Sequence, residues 1–189
     1  MKLNYEKRDM YAYTIGRLNK AVKNGYCYDA IMLDYAVIED RITEILYDCG
    51  ILNRTQSGLK VTNKAKKPLR ALLAKKENAS FGINNIQTRI EILKRLTTNN
   101  IEFSDHFSYL HSYILLKLDA EEFLALLHSV EEWKDSRNGF VHGLMEKVPY
   151  GIDENAMELT NTGYKLFREL DNVSRKIEKC NARKKYRIQ

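Results

Sequence analysis

Apolar residues recur at steps of three and four along most of the chain, the spacing that lines one face of a helix. The pattern is strongest over residues 26–48. There Cys27, Ile31, Tyr35, Ile38, Ile42, Ile45 and Cys49 form one line, and Ala30, Leu33 and Val37 widen it. So broad an arc predicts a helix that packs on more than one neighbour, central to a bundle. Asp34 and Arg41 lie at the margin of the stripe and read as a salt-bridge pair, with an active-site role as the alternative. Glu39, Asp40 and Glu44 fall further round. A first helix is predicted over 5–24 through Tyr5, Met10, Tyr13, Ile15, Leu18 and Val22, stopped by Asn24-Gly25. Another runs over 84–97 through Ile86, Ile90, Leu93 and Leu96, ending near Asn99-Asn100. Ser104-Asp105 caps a stretch to Leu118 that carries Phe107, Tyr109, Leu110, Tyr113, Ile114 and Leu115. A last amphipathic helix is predicted over 155–181 through Met157, Leu159, Tyr164, Leu166, Phe167, Leu170, Val173 and Ile177. Asn53 to Gly58 and Asn78 to Gly82 read as polar connectors, and Pro68 as a break or kink in the segment 60–76.

The stretch Ala120 to Met145 carries a broad stripe of Phe123, Leu124, Leu126, Leu127, Val130 and the lone Trp133. Asp119 suits its N-cap, and Glu121 and Glu122 sit in the first turn, where the macrodipole favours acids. The stripe of Ile31, Tyr35, Ile38 and Ile42 is expected to pack against Leu124, Leu127 and Val130. The whole pattern predicts an all-α fold: one domain over 1–189, a helical bundle of about five to seven helices.

Composition adjusts this picture little. The chain is 44% hydrophobic and 30% charged, with only 9 Gly and 2 Pro, which suits long helices in a globular domain. No apolar run is long enough to span a membrane, and the first residues lack a signal-peptide core, so a cytoplasmic protein is expected. Cys27 and Cys49, at opposite ends of one helix, would be about 33 Å apart, beyond disulfide reach. With Cys180 and no CxxC pair, they fit reduced structural thiols. The net charge of +6 permits nucleic acid without demanding it. Its placement is more informative. Lys60, Lys64, Lys66, Lys67, Arg70, Lys75 and Lys76 crowd one segment, and Arg183, Lys184, Lys185 and Arg187 crowd the tail. A solvated face and a frayed terminus account for both as well as phosphate contact does; on the latter reading Lys64, Lys66, Lys67 and Arg70 bind RNA.

Sequence patterns for phosphate loops, HExxH, GxSxG and paired CxxC are absent. His106, His111 and His128 read as packed or surface histidines, and no metal or cofactor is expected. The hexapeptide Arg137-Asn138-Gly139-Phe140-Val141-His142 is different in kind. On a regular helix Arg137 and His142 point about 140° apart with about 7.5 Å of rise between them. Asn138 and His142 share a face, and Gly139 is weak enough in a helix to let the turn loosen and the groups converge. A guanidinium can hold a phosphate bidentately while an imidazole moves a proton. A purely structural reading makes Asp135 and Arg137 a surface cluster and His142 a cover for the helix end.

The run Trp133-Lys134-Asp135-Ser136-Arg137-Asn138-Gly139-Phe140-Val141-His142 resembles the signature of HEPN domains: Arg, a polar residue, three more residues, then His. The helical frame, the motif in the C-terminal half and the closing helix are similar too. The resemblance implies a metal-independent endoribonuclease, a toxin or phage-defence effector, with Arg137 and His142 catalytic and Asn138 supporting. Attack of a ribose 2′-hydroxyl on its phosphate needs one proton removed and one donated, while each chain offers one motif histidine. A homodimer facing one RNA is therefore expected, with an antitoxin or regulatory partner possible in such a system. Some HEPN domains paired with a nucleotidyltransferase carry a tyrosine two residues beyond the histidine; Leu144 stands there instead. The alternative function is a non-catalytic HEPN-like module that binds RNA, nucleotide or a partner protein.

Overall fold

The computed structural model describes residues 2–75, 80–98, 104–143 and 152–188. They form an all-α fold of seven helices and a final one-turn helix, with one small hairpin. In order these are α1 (Lys2–Lys23), α2 (Cys27–Asp48), β1 (Leu52–Thr55), β2 (Gly58–Val61), α3 (Asn63–Leu72), α4 (Ile86–Thr98), α5 (Asp105–Lys117), α6 (Ala120–Gly143), α7 (Ile152–Glu178) and α8 (Ala182–Lys185). The expected stop and start signals operate. At the end of α1, Gly25 takes φ +70°, Gly25 N bonds Val22 O and Tyr26 N bonds Ala21 O, which satisfies the last carbonyls. Gly50 repeats the arrangement after α2 through Tyr47 O and Leu46 O. Ser104 accepts from Phe107 N, and Asp119 Oδ1 from Glu122 N at 2.9 Å. The start of the predicted connector at Asn78, the helix end near Asn99-Asn100 and the end of the predicted stretch at Met145 lie outside the described residues.

The chain groups into two compact units. The first comprises Met1–Asp40 and Ser129–Glu169. Within it α2 packs on α6 and α7: Ile31, Phe140 and Ala156 form a buried cluster, flanked by Cys27, Val141 and Leu159. Val130, Trp133 and Phe167 are buried here as well. Met10, Tyr13 and Met157, counted above as apolar contacts, are more than half exposed. The stripe assignment was too generous at those margins.

The second unit comprises Arg41–His128 and Leu170–Gln189. Its core gathers Ile42, Ile45, Leu46, Leu69, Ile90, Leu93, Leu96, Phe107, Leu110, Leu127 and Ile177. The stretch 53–58 is not a simple loop. Leu52 pairs with Val61 and Thr55 with Gly58 in an antiparallel hairpin whose turn is tied by Thr55 Oγ1 to Gly58 O at 2.9 Å. Pro68 does not break α3 but sits inside it, and Thr62 caps the helix at Ala65 N. The basic tail is not frayed: Arg183 Nη1 donates to Tyr47 O and Leu52 O, both at 3.1 Å, and Nη2 to Asn53 Oδ1. Its guanidinium also covers the Tyr47 ring at 4.1 Å. Among the described residues no helix is long and apolar enough to cross a membrane.

Candidate active site

The hexapeptide closes α6, which stays helical through Gly139 to Gly143. Gly139 therefore does not loosen the turn, and Arg137 and His142 keep the roughly 140° divergence of a regular helix. Arg137 turns toward α2. Its guanidinium lies 4.6 Å over the Tyr35 ring, Nη2 donates to Met32 Sδ at 2.9 Å, and Nη1 donates to Asn138 Oδ1 at 3.1 Å. Nε is buried without an acceptor. The Asp135–Arg137 surface cluster is not made; Asp135 pairs with Lys134 at 3.1 Å. His142 is exposed on the last turn, one turn beyond half-buried Asn138. The fold thus joins Arg137 to Asn138 and sets Asn138 on the face of His142, while no hydrogen bond links Arg137 to His142 directly.

A second feature of this unit is the burial of Asp34, which the sequence pattern places at the margin of the α2 stripe. Asp34 is fully buried, and neither carboxylate oxygen has a hydrogen-bond partner. Burial alone pushes its carboxyl up to about 8, because an unpaired charge has no water to stabilise it there. The expected pair with Arg41 is not formed; Arg41 meets Asp171 at 3.4 Å instead. Asp34 lies against Trp133 and Gly163, and the indole is pinned by its Nε1 hydrogen bond to Leu159 O at 2.8 Å. A signal existed: Asp34 stands three residues after Ile31 and four before Ile38, in phase with the buried line.

A cavity of about 650 Å³ opens between α6 and α7, lined by Ser129, Glu132, Trp133, Ser136, Gly139 and Phe140 on one side and Asn155, Glu158, Leu159 and Thr162 on the other. Neither Arg137 nor His142 lines it. In the second unit, α3 buries Ala65, Leu69 and Leu72 and leaves Lys64, Lys66 and Lys67 exposed. Arg70 is half-buried, its guanidinium 5.4 Å over the Phe81 ring. That cation is partly committed to packing; of the three exposed lysines, Lys64 lies 6.0 Å over the Tyr186 ring. His106 is buried, its Nε2 2.7 Å from Cys49 O, and burial holds it below the usual histidine range. His111 Nδ1 lies 2.6 Å from Leu96 O, and His128 Nδ1 2.9 Å from Lys94 Nζ. Among the described residues no three His, Cys, Asp or Glu side chains gather as a metal-ligand set.

Comparison with protein-family models, with curated proteins and with solved structures gave no match for this chain.

Proposed function

We propose that this chain is a HEPN-type, metal-independent endoribonuclease that acts in the cytoplasm as a two-fold pair. Arg137, Asn138 and His142 carry the reaction. The observation that supports it is the hydrogen bond from Arg137 Nη1 to Asn138 Oδ1, which ties the guanidinium to the helix face carrying exposed His142. In the reaction the ribose 2′-oxygen forms a bond to phosphorus and the bond from phosphorus to the 5′-oxygen breaks. One His142 takes the 2′-hydroxyl proton, the His142 of a second copy gives one to the leaving oxygen, and Arg137 stabilises the charge on the phosphoryl oxygens. The products are a 2′,3′-cyclic phosphate and a 5′-hydroxyl, and DNA is inert because it lacks the nucleophile.

One observation favours a second reading, a binding module without catalysis. Both terminal nitrogens of Arg137 already have partners inside the chain, on Asn138 and Met32. Incubation of the purified protein with total RNA in EDTA, wild type beside His142→Ala, separates the two. Catalysis is expected to degrade RNA in the wild-type lane only. Equal integrity in both lanes favours the binding module, and cleavage that EDTA stops defeats the metal-free mechanism.

A further inference from the structure

Beside the hexapeptide, α2 exposes an aromatic ring that the fold does not need exposed. Tyr28 is 42% exposed, yet its ring stacks on buried Phe140 at 5.6 Å between centroids with 29° between planes. Phe140 thus backs a ring that stays partly open to solvent. One turn further along α2, Met32 is 53% exposed and takes the hydrogen bond from Arg137 Nη2. Four residues of helix put Tyr28 and Met32 about 6 Å apart in rise on one face. An exposed aromatic ring and the half-buried guanidinium of Arg137, which reaches Met32, therefore lie along one side of α2.

We propose that Tyr28 is the platform on which an unpaired RNA base stacks, with the adjoining phosphate carried to Arg137. The inference rests on the RNA reading of the hexapeptide and adds to it what the strip selects: single-stranded or looped RNA. Bases inside a duplex are stacked on each other and offer no face to a side chain, whereas unstacked bases recognise aromatic rings of any sequence context. The strip pairs a ring, at Tyr28, with a guanidinium, at Arg137. A base with its phosphate uses both.

The test is binding of the full-length chain to a fluorescent single-stranded 2′-O-methyl RNA, which lacks the free nucleophile and so reports affinity without cleavage. Tyr28→Ala and Tyr28→Leu are expected to weaken binding about tenfold to a hundredfold, and Tyr28→Phe and Tyr28→Trp to retain it. Tyr28→Leu preserves apolar cover over Phe140, so the result stands even where the alanine variant folds poorly. A hairpin of the same composition, fully paired, is expected to bind less tightly than the single strand. Unchanged affinity in Tyr28→Leu overturns the proposal, as does equal loss in Tyr28→Phe or an absence of RNA binding by the wild type. So does a Tyr28→Leu variant that loses self-association in light scattering but binds RNA normally. Binding that depends on the ring without any cleavage of unmodified RNA leaves the platform standing and removes only the nuclease.

Discussion

Asp34 and Gly163 meet so closely that no side chain fits between them. A Cβ on Gly163 would stand 2.9 Å from Asp34 Oδ2 and 2.7 Å from the Trp133 ring. Glycine inside a helix ordinarily costs about 1 kcal/mol relative to alanine, so its place in α7 is explained by this approach rather than by helix preference. Gly163→Ala is expected to destabilise by about 1–3 kcal/mol, since the indole is held by Leu159 O and cannot give way freely. Gly139, also helical but with nothing within 4 Å of a built Cβ, is the contrast. Gly139→Ala should stabilise by up to about 1 kcal/mol. Chemical denaturation of both variants checks the pair.

Asp34 gives the protein a pH dependence of known sign. Its carboxyl is raised from 3.8 to about 8 in the folded chain, so between those values the folded state holds a proton that the unfolded state has released. The stability this preference confers is complete below about pH 4 and is lost as pH rises toward about 8, by up to about 1.4 kcal/mol per unit. Asp34→Asn cannot ionise. Its unfolding free energy should fall less than the wild type's between pH 5 and 8, a difference read directly from denaturant melts across that range.

The helices were legible in the sequence because burial imposes period on them. The caps at Ser104 and Asp119 and the stop at Gly25 were legible because each residue type solves a local backbone problem. The hairpin was not: Asn53, Arg54, Gln56 and Ser57 make its strands and turn too polar to show an alternation, and its pairing is settled by Leu52 and Val61 alone facing inward. Buried charge was the other blind spot. Asp34 and Arg89 both occupy in-phase positions on apolar stripes, and only three dimensions reveal that one is unpartnered while the other reaches Thr43 and Asn84 O. Of the candidate site, the residues were readable from the motif; the direction of Arg137 was not, since it depends on Tyr35 and Met32 more than a hundred positions away.

Arg183 is expected to behave as a structural clasp. It donates to two backbone carbonyls and one amide oxygen and covers the Tyr47 ring. Arg183→Ala should cost about 1–3 kcal/mol, because the carbonyls of Tyr47 and Leu52 lose a charged donor. Lysine should restore little, as one ammonium cannot reach the same forked set of acceptors. Hydrogen exchange should show faster opening of α8 amides in both variants, with no change expected at α1.

Arg137→Lys discriminates between catalysis and packing at the hexapeptide. The guanidinium now bonds Asn138 and Met32 and stacks on Tyr35, and a lysine keeps the charge while losing the planar fork. In the nuclease, the contact that matters grows as charge builds on the phosphoryl oxygens, so kcat should fall about a hundredfold to a thousandfold while KM changes much less. Stability should fall only modestly, since the stacked cation is half-buried and water screens it. A side chain that serves packing alone predicts the reverse: a lowered melting temperature, with RNA turnover per folded molecule untouched. Single-turnover cleavage measured beside thermal unfolding on one preparation separates these outcomes. The added variant Tyr35→Leu sharpens the comparison, because it removes the stacking surface without touching Arg137. If Tyr35 holds the guanidinium in place for the reaction, Tyr35→Leu should lower kcat and leave Arg137→Lys with no further loss from the same change.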